Sequence, residues 1–439
     1  MLERLIAIVT LATTLATPSA DVAPREEALP RVTVTSSAMT VNGVPFVPRG
    51  ANYLRLSGDR ITTFEVGEYD PVRAEAMFQS LENDAYNSNR VFIAQGDWAT
   101  RGVGGRLAQT TPFNPLYLDN VVDYIRRGAR HGVYTSLVLQ DIPTNCYFYT
   151  LVQNGAKCST DYTIPNVYGV NAMFMDPGYV TAKARYMELF AAEMRARLGA
   201  DQTAVLSYSS DNEATFDAAQ APFTNWDAST VTLGGTTYRM NVAAERQEAA
   251  DWSFVNYALL VKEGLRRGDP NAVFTIGFYT NYAVNKVGFD GFVYCGTCPP
   301  TPNYRDTRYP ARIWKVRTIV DLPELHFYPR PLDWAMVPGS GNYTVAKDLA
   351  TVEVTAASMG SKPWTIGEFG AFKSFYATSA KAAAAMRSAR VAACRLGADG
   401  FQFWTFDTAE QVELYTLVQD GEIINQGLAT SLNPDPCAR

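Results

Sequence analysis

The sequence is constrained most by a regular alternation of short apolar runs with longer amphipathic stretches, which continues over about four hundred residues. The apolar runs have the length and the β-branched or aromatic content of buried strands, and they cover residues 47–53, 89–94, 134–139, 204–208, 273–278, 325–328, 364–369 and 401–406. The stretches between them carry apolar residues three and four positions apart, as amphipathic helices do, and cover residues 72–82, 116–130, 180–198, 242–267, 345–358 and 379–396. Eight strands that alternate with helices are typical of an α/β protein with a (β/α)8 TIM barrel.

A short N-terminal β-hairpin is predicted ahead of the barrel. Residues 32–47 alternate apolar and polar side chains around Asn42-Gly43, a dipeptide that favours the type I′ turn. No linker rich in Pro, Ser or Gly follows, so we expect residues 32–439 to form one catalytic domain after a flexible segment at residues 21–31. A doubly wound sheet is the weaker alternative, because Gly102 and Gly104 are followed by Leu107 where a dinucleotide-binding loop needs glycine.

Residues 1–20 have the features of a cleaved secretory signal peptide. Arg4 provides the positive charge, residues 5–15 form the short apolar run, and Ser19-Ala20 offers a small-residue cleavage site. No later segment approaches the roughly 20 continuous apolar residues of a membrane-spanning helix. We therefore expect a secreted protein, extracellular or periplasmic, with no membrane partner after signal cleavage.

The six cysteines, an even number in a chain that we expect to be exported, predict up to three disulfides. As a working hypothesis we pair cysteines that are near each other in the sequence and the last two with each other, as Cys146–Cys158, Cys295–Cys298 and Cys394–Cys437. The alternative is zinc or redox chemistry at Cys295 and Cys298, but two prolines follow this pair and no second CxxC motif exists. Structural bridges are favoured.

Charge and histidine content argue against several classes of function. The chain has 38 Lys+Arg against 44 Asp+Glu, a net charge of −6 without any basic run, so we expect no nucleic-acid partner. The sequence has only two histidines, His131 and His326, too few for a multi-histidine zinc site, and serine-nucleophile catalysis is disfavoured because no GxSxG motif occurs. We expect a monomer without metal or cofactor, and polar neutral substrates remain open.

The carboxyl ends of the predicted strands carry the candidate site, because chemistry gathers there in a (β/α)8 barrel. Glu213 follows the fourth predicted strand, and Glu368 lies in the seventh. These strands face each other across the barrel, and retaining hydrolysis of a glycoside needs two carboxyl groups about 5–5.5 Å apart. The other candidates at the strand ends are Asn52, Arg90, Trp98, Asn212, Tyr279, His326, Tyr328 and Trp404.

This ordered set resembles the active site of clan A glycoside hydrolases. The set includes Asn212-Glu213, the histidine and tyrosine of His326-x-Tyr328, Glu368 in TIGEFG, and Trp404. Within that clan, the opening MTVNGVPFVPRGANYLRL and the arginine of NSNRVF are most similar to glycoside hydrolase family 5, the cellulase and β-mannanase group. The resemblance spans residues 32–407 and implies a secreted, retaining O-glycosyl hydrolase acting on a β-linked polysaccharide or oligosaccharide, such as a β-mannan or β-glucan.

The resemblance also implies the roles of the two carboxyl groups and their neighbours. Glu213 would be the general acid/base, and Glu368 the nucleophile that forms the glycosyl-enzyme. Arg90 would keep Glu368 ionised, since a nearby positive charge lowers the pKa of a carboxyl group. Tyr328 would donate a hydrogen bond to the same carboxylate.

The remaining roles concern the substrate. Asn212 would bind the sugar 2-hydroxyl, and Trp404 would stack under the sugar ring. The other polar and aromatic candidates would line the site: His326, Asn52, Trp98 and Tyr279. The chain departs from the family at Ala214, where the family often has proline, and at residues 140–141, where many members have histidine. Both departures affect the expected substrate and leave the two carboxyl groups in place.

Structural roles compete with each of these assignments. Glu213 could stabilise a helix N-terminus, and Glu368 could form a purely structural salt bridge with Arg90. The three candidates His326, Tyr328 and Trp404 could belong to the barrel core. For the whole protein, the alternatives are a non-catalytic carbohydrate-binding protein and a transglycosylase using the same carboxylates. Residues 146–158, 216–240 and 285–309 are expected to shape the cleft, and the sugar, the linkage and endo or exo action stay open.

Overall fold

The computed structural model describes residues 28–94, 96, 101–104, 112–139, 142–153, 168–223, 229–279, 294–295, 304–305, 308–331 and 344–437. The predicted signal peptide, Trp98, Cys158 and Cys298 lie outside these residues. Within them, no helix is both long and apolar enough to cross a membrane. The predicted flexible segment is described from residue 28 onward, where Leu29 is buried and the Pro30 carbonyl oxygen accepts a hydrogen bond from Tyr134. Leu29 and Pro30 thus contact the barrel, whereas residues 21–27 lie outside the described residues, so the predicted flexible segment stays a prediction.

Eight parallel strands form the predicted (β/α)8 barrel, which is confirmed. Their bounds are β1 Arg49–Tyr53, β2 Ser88–Ile93, β3 Tyr134–Leu139, β4 Val205–Ser209, β5 Phe274–Thr275 with Gly277–Tyr279, β6 Glu324–His326, β7 Trp364–Phe369 and β8 Ala398–Phe403. Each strand pairs in parallel with its neighbours, and β8 pairs with β1. The ring closes through β5, whose first half pairs with β4 and whose second half pairs with β6.

The strands form where the chain is apolar enough to be covered on both faces. Every residue of β2, β3, β4 and β7 is buried, as expected for a parallel sheet with helices outside and a filled interior. The main hydrophobic core joins strand residues such as Leu137 and Ile366 to helix residues such as Tyr124 and Met187. This packing holds the strand ends, and so the candidate site, in fixed positions.

The helices surround this barrel. Their bounds are α1 Pro71–Asn83, α2 Pro115–Arg130, α3 Cys146–Val152, α4 Ala172–Met175, α5 Pro177–Leu198, α6 Ala243–Gly268, α7 Ile313–Val316, α8 Val345–Thr351, α9 Ala356–Met359, α10 Ser379–Arg395 and α11 Gln419–Leu428, with 3-10 turns at Gly169–Asn171 and Gly199–Ala204. Three of the helices begin at a proline that follows a capping side chain, namely Asp70 for α1, Asn114 for α2 and Asp176 for α5. Each cap accepts hydrogen bonds from backbone N–H groups of the first turn, which fixes the start of the helix.

Two predicted elements are interrupted. The helix predicted at residues 345–358 is α8 followed by α9, because Glu353 adopts a left-handed φ of 58° and Thr355 starts a new helix through a capping box with Ser358. The strand predicted at residues 273–278 is broken at Ile276, where pairing changes from β4 to β6.

Two further elements differ from the prediction at the C-terminal end. The strand predicted at residues 401–406 is β8, three residues earlier, because the apolar run continues past the end of the strand into the loop that carries Trp404. Helix α11 has no counterpart in the prediction. Its first turn consists of polar residues and glycine, at residues 419–422, and therefore shows no helical spacing of apolar residues. Asp420 and Glu422 in this turn have positive φ.

The predicted hairpin is confirmed and has an additional strand. Asn42 and Gly43 have φ values of 51° and 79°, the left-handed pair that a type I′ turn requires. The turn joins Met39–Val41 to Val44–Pro45, and Val32–Val34 pairs with the first of these strands. Other antiparallel pairs in the described parts are Leu56–Ser57 with Arg60–Ile61, Phe216–Asp217 with Arg308–Tyr309, Thr230–Leu233 with Thr236–Arg239, and Tyr294–Cys295 with Tyr304–Arg305.

The predicted disulfide Cys394–Cys437 is confirmed, and it ties the end of α10 to the C-terminal segment. Cys146, the first residue of α3, is disulfide-bonded as well. The partners proposed for the other two bridges include Cys158 and Cys298, which lie outside the described residues, so those two pairings stay predictions.

Candidate active site

The carboxyl ends of the barrel strands bring most of the predicted site residues into one polar cluster. The contributing residues are Asn52 on β1, Arg90 on β2, Asn212 and Glu213 after β4, Tyr279 at the end of β5, His326 on β6, Tyr328 after β6, Glu368 on β7 and Trp404 after β8. Trp98 lies outside the described residues. The cluster therefore draws on seven of the eight strands, as the (β/α)8 fold allows.

Glu368 is held by two donors in the barrel interior. Arg90 Nη1 donates to Oε1 at 2.7 Å, and the Tyr328 hydroxyl donates to Oε2 at 2.9 Å. The Glu368 side chain is only 3% exposed. Burial and the neighbouring Glu368 charge raise the pKa of Tyr328 well above its usual range, so its hydroxyl stays protonated and can donate. Both carboxylate oxygens thus have fixed partners.

Opposing influences act on the ionisation of Glu368. Burial raises the pKa of its carboxyl group above the usual range, while the cations His326 and Arg90 act in the opposite direction. The expected contribution of Arg90 is therefore present, but burial outweighs it. The carboxylate depends on both cations to stay ionised.

Arg90 lies at the centre of the cluster and is fully buried. Besides Glu368, its guanidinium donates from Nε to Glu324 at 3.0 Å, from Nη1 to Asn52 at 3.0 Å and from Nη2 to Asn212 at 2.9 Å. Such a buried cation is tolerated because carboxylates and amide oxygens surround it in hydrogen-bonding geometry. The arginine thereby sets the positions of the side chains around it.

The two asparagines play different parts. Asn52 is fully buried, accepts from Arg90 and donates from Nδ2 to the Gly367 carbonyl oxygen at 3.0 Å, so it supports Arg90 from beneath the site. Asn212 also accepts from Arg90, but it is partly exposed and lines an open cavity. Of the two, Asn212 is the one placed to meet a substrate.

Glu213 lies on the loop after β4 in a more open setting. Its φ is 47°, a left-handed conformation that is uncommon for a residue other than glycine, and its side chain is 21% exposed. The backbone N–H of Ala214 donates to the Gly277 carbonyl oxygen, which anchors the loop to β5. Arg308 Nη1 lies 3.3 Å from Oε2.

His326 lies between the two carboxylates and is fully buried. Its Nδ1 is 3.5 Å from Glu213 Oε1 and 3.6 Å from Glu368 Oε1. Burial disfavours the charged ring, but the surrounding Glu368, Glu213 and Glu324 carboxylates outweigh burial and raise the pKa of His326 to about 9. The ring is therefore a cation at neutral pH.

The separation of the two carboxyl groups is short. One carboxylate oxygen of Glu213, one ring nitrogen of His326 and one carboxylate oxygen of Glu368 lie within 4.8 Å of one another. These atom types could ligate a metal ion, but His326 holds its proton tightly, and a metal would first have to displace it. The arrangement suits two carboxyl groups that act on one bond, which retaining glycosidases place about 5–5.5 Å apart.

Open space lies on both sides of the adjacent residues Asn212 and Glu213. A cavity of about 490 Å³ is lined by Asn212 and Trp404 together with Phe92. A second cavity, of about 500 Å³, is lined by Glu213 together with Phe174 and other side chains. Both cavities are of ligand-binding size. A chain of sugar residues could therefore lie across the two carboxyl groups.

The aromatic candidates are only partly available to a ligand. Trp404 packs edge-to-face against Phe92 and donates from Nε1 to Gln411 at 2.8 Å, while its ring also lines the first cavity. Tyr279 lies at the end of β5, half-buried under the Arg308 guanidinium, 4.7 Å from the ring centre. Trp404 is the better placed of the two for stacking on a sugar.

Sequence reasoning missed two charged residues of the cluster. Glu324 begins β6 and pairs with Arg90, but an acid beside a proline in DLPELHFY carries no sign of burial. Arg308 reaches Glu213 because the strand Arg308–Tyr309 pairs with Phe216–Asp217, a contact between distant parts of the chain. The sequence Thr-Ile-Gly occurs at residues 275–277 and again at 365–367. Its glycine, on each strand next to β6, was a weak signal that a large side chain lies there.

Comparison with solved structures gives the fold an independent basis. The chain is similar to an endo-1,4-β-mannanase from Rhizomucor miehei, with a TM-score of 0.59, 12% identity, and coverage of 92% of this chain and 99% of that chain. It is also similar to an exo-β-1,4-mannosidase from Opitutaceae bacterium strain TAV5, with a TM-score of 0.53, 16% identity, and coverage of 90% of this chain and 57% of that chain.

An endogalactoceramidase is a further neighbour, with a TM-score of 0.53, 15% identity, and coverage of 91% of this chain and 85% of that chain. What these proteins share with the chain is the barrel. At such identities the likeness shows the fold, and it agrees with the family resemblance drawn from the sequence. No protein-family model matches the chain, and no curated protein matches it in sequence.

Proposed function

We propose that the protein is a secreted, retaining glycoside hydrolase that cleaves β-glycosidic bonds in a polysaccharide or oligosaccharide. The observation that carries the proposal is the pair Glu213 and Glu368, whose carboxylate oxygens approach within 4.8 Å at the carboxyl ends of β4 and β7. Their surroundings differ in the way that the two roles require. Glu368 is buried between donors, and Glu213 faces open space.

In the first step, a carboxylate oxygen of Glu368 attacks the anomeric carbon and forms a covalent ester. The bond from that carbon to the leaving oxygen breaks, and both of its electrons go to the oxygen. The leaving oxygen takes the proton of Glu213. The negative charge thus passes from Glu368 to Glu213. His326, which lies 3.5 Å from one carboxylate and 3.6 Å from the other, faces the charge in both positions.

In the second step, the Glu213 carboxylate takes a proton from a water molecule whose oxygen attacks the same carbon. The ester bond to Glu368 breaks, and its electrons restore the Glu368 carboxylate. Two inversions give net retention. Asn212, which lines the cavity beside Trp404, would bind the sugar 2-hydroxyl during both steps.

The substrate class is proposed as β-mannan or a β-glucan. Two of the reported structural neighbours are named for β-1,4-mannosidic bonds, the endo-mannanase and the exo-mannosidase. The third is named an endogalactoceramidase. Space on both sides of the carboxyl groups suits a chain that extends past the cleaved bond. We propose that the protein is a monomer, that it requires no cofactor, and that its binding partner is the carbohydrate substrate.

Export is part of the proposal. We assign residues 1–20 to a signal peptide and residues 32–439 to the catalytic domain. The Cys394–Cys437 bridge and the disulfide at Cys146 are typical of proteins outside the reducing cytosol. Mass spectrometry of the protein from a secreting host tests this assignment, which predicts a mature chain that begins near Asp21.

A substrate panel tests the proposal. Purified wild type and Glu368→Ala, both checked for folding by circular dichroism, are incubated with β-mannan, carboxymethylcellulose, xylan, galactan, laminarin and aryl β-glycosides. We expect wild type to cleave at least one substrate and the variant none. Binding without cleavage would favour a carbohydrate-binding protein, and longer products with an added acceptor would favour a transglycosylase.

A further inference from the structure

A buried carboxylate on β6, Glu324, has no part in the proposed steps. It lies two residues before His326, so both side chains point into the barrel from the same face of the strand. The Glu324 side chain is 4% exposed. Its Oε2 atom is 3.0 Å from Arg90 Nε and 4.0 Å from His326 Nε2, so one oxygen faces both cations of the site.

The barrel makes room for this pair on both neighbouring strands. A Cβ atom on Gly367 of β7 would lie 2.8 Å from Glu324 Oε2 and 2.9 Å from His326 Nε2. A Cβ atom on Gly277 of β5 would lie 2.9 Å from His326 Nε2. The interior of a (β/α)8 barrel is usually filled with branched apolar side chains, so the two glycines mark space given to a charged pair.

The charges around His326 come from four elements. Arg90 on β2 is the second cation, and the facing carboxyl groups are Glu213 after β4, Glu368 on β7 and Glu324 on β6 itself. With Glu213 protonated, two cations meet two anions. The reaction moves one negative charge from Glu368 to Glu213 and back, whereas the charge of Glu324 stays in place.

We propose that Glu324 is a positioning residue that sets the charge of the site. It neutralises one of the two cations, so that a single net positive charge faces the single negative charge that passes between the catalytic carboxyl groups. It also fixes the guanidinium of Arg90 through Nε, which leaves Nη1 aimed at Glu368 and Nη2 at Asn212. The proposal rests on the proposed function, but its first test needs no substrate.

The ionisation of the pair agrees with this role. Burial opposes the charge of Glu324, but Arg90 and His326 outweigh burial and lower the pKa of Glu324 below its usual range. In return, Glu324 is one of the carboxylates that hold the His326 ring in its charged form. Loss of the Glu324 charge would therefore lower the pKa of His326, so that the ring would lose its proton at a lower pH.

Histidine titration by NMR is the direct test, because the chain has only two histidines, His131 and His326. Protein with 15N-labelled histidine is titrated as wild type and as Glu324→Gln, and a His131→Gln variant assigns the resonances. We expect the His326 midpoint to fall by at least about one pH unit in Glu324→Gln. An unchanged midpoint would overturn the proposal whether or not the protein is a glycosidase.

Kinetics on a nitrophenyl β-glycoside that wild type cleaves test the consequence for catalysis. We expect Glu324→Gln to lower kcat about 100-fold with little change in KM, because Glu324 is buried and would act through Arg90 and His326. The matched control is Asp251→Asn on α6, which removes the charge of another buried carboxylate that pairs with an arginine, Arg312, outside the barrel interior. The control should leave kcat and the His326 midpoint unchanged. Equal losses of kcat in both variants would overturn the proposal.

Glu324→Asp carries the test if Glu324→Gln does not fold. It keeps the charge but shortens the side chain by one methylene, so Arg90 loses its 3.0 Å partner. We expect kcat to fall while the His326 midpoint stays above that of an unperturbed histidine, about 6.5. Wild-type kcat in Glu324→Asp would contradict the positioning of Arg90, and a midpoint near 6.5 would contradict the charge argument.

Discussion

The ends of β4 and β7 carry the same functional group in opposite surroundings. Glu368 is 3% exposed, and both of its oxygens accept hydrogen bonds from Arg90 and Tyr328. Glu213 is 21% exposed, lies on a loop in a left-handed conformation, and meets a partly exposed arginine, Arg308, at 3.3 Å. One carboxyl group is fixed inside the barrel, and the other is at its mouth.

The difference agrees with what each proposed role demands. A nucleophile must be ionised and aimed at one carbon; around Glu368 the cations favour the charged form against the effect of burial, and the donors fix its direction. An acid/base must exchange protons with a leaving group and with water, which requires access to open space. His326 links the two regions, since it is a buried cation that faces both carboxylates.

The largest expected effect is the loss of the buried carboxylate. Glu368→Ala should lower kcat at least about 10⁴-fold, because no ester can form. Azide should restore turnover of an activated aryl glycoside and give a product of inverted configuration. Turnover near that of wild type without azide would remove Glu368 from the mechanism.

Loss of the exposed carboxylate should depend on the leaving group. Glu213→Ala should lower kcat/KM about 10²- to 10⁴-fold on a natural glycan and much less on a nitrophenyl glycoside, whose leaving group needs no proton. The measurement is the ratio of kcat/KM for wild type to kcat/KM for Glu213→Ala, taken on each of the two substrates. Equal losses on both would mean that Glu213 is not the acid.

The two arginines sharpen the comparison further. Arg90→Gln should lower kcat/KM about 100-fold and move the acidic limb of its pH profile to higher pH, because loss of the cation raises the pKa of buried Glu368 further. The matched variant Arg308→Gln should change kcat/KM less than about five-fold, because its side chain is 39% exposed. Similar effects of the two variants would contradict the contrast between the sites.

The last expected effect concerns stability rather than rate. The pKa of His326 is raised to about 9 in the folded chain against about 6.5 when unfolded, so its contribution is complete below pH 6.5 and is lost as the pH rises through 9. Urea unfolding at pH 6 and at pH 9.5 should show the stability difference between wild type and His326→Gln shrinking by about 3 kcal/mol. A difference that does not change with pH would show that His326 is not a buried cation.

Much of this architecture could be predicted from the sequence. The bounds of β3, Tyr134–Leu139, and of β7, Trp364–Phe369, were predicted correctly, because a strand that is buried on both faces is a continuous apolar run between polar turns. The two carboxyl groups could be selected because the fold places chemistry at strand ends. Local pattern was sufficient for both.

The rest depends on contacts between distant parts of the chain. Arg308 meets Glu213 through a pair of two-residue strands, and Glu324 is buried beside Arg90, which reaches it from the opposite side of the barrel. The break in β5 at Ile276 comes from pairing with different neighbours on each side. None of these features has a signature in the spacing of apolar residues.

The stereochemistry of the first product tests the central claim most directly. Wild type is mixed with a β-glycan that it cleaves, and the anomeric proton of the newly formed reducing end is followed by NMR before mutarotation. The short distance between Glu213 and Glu368 predicts that the β-anomer is formed first. Initial formation of the α-anomer would contradict the double displacement and the assignment of Glu368 as its nucleophile.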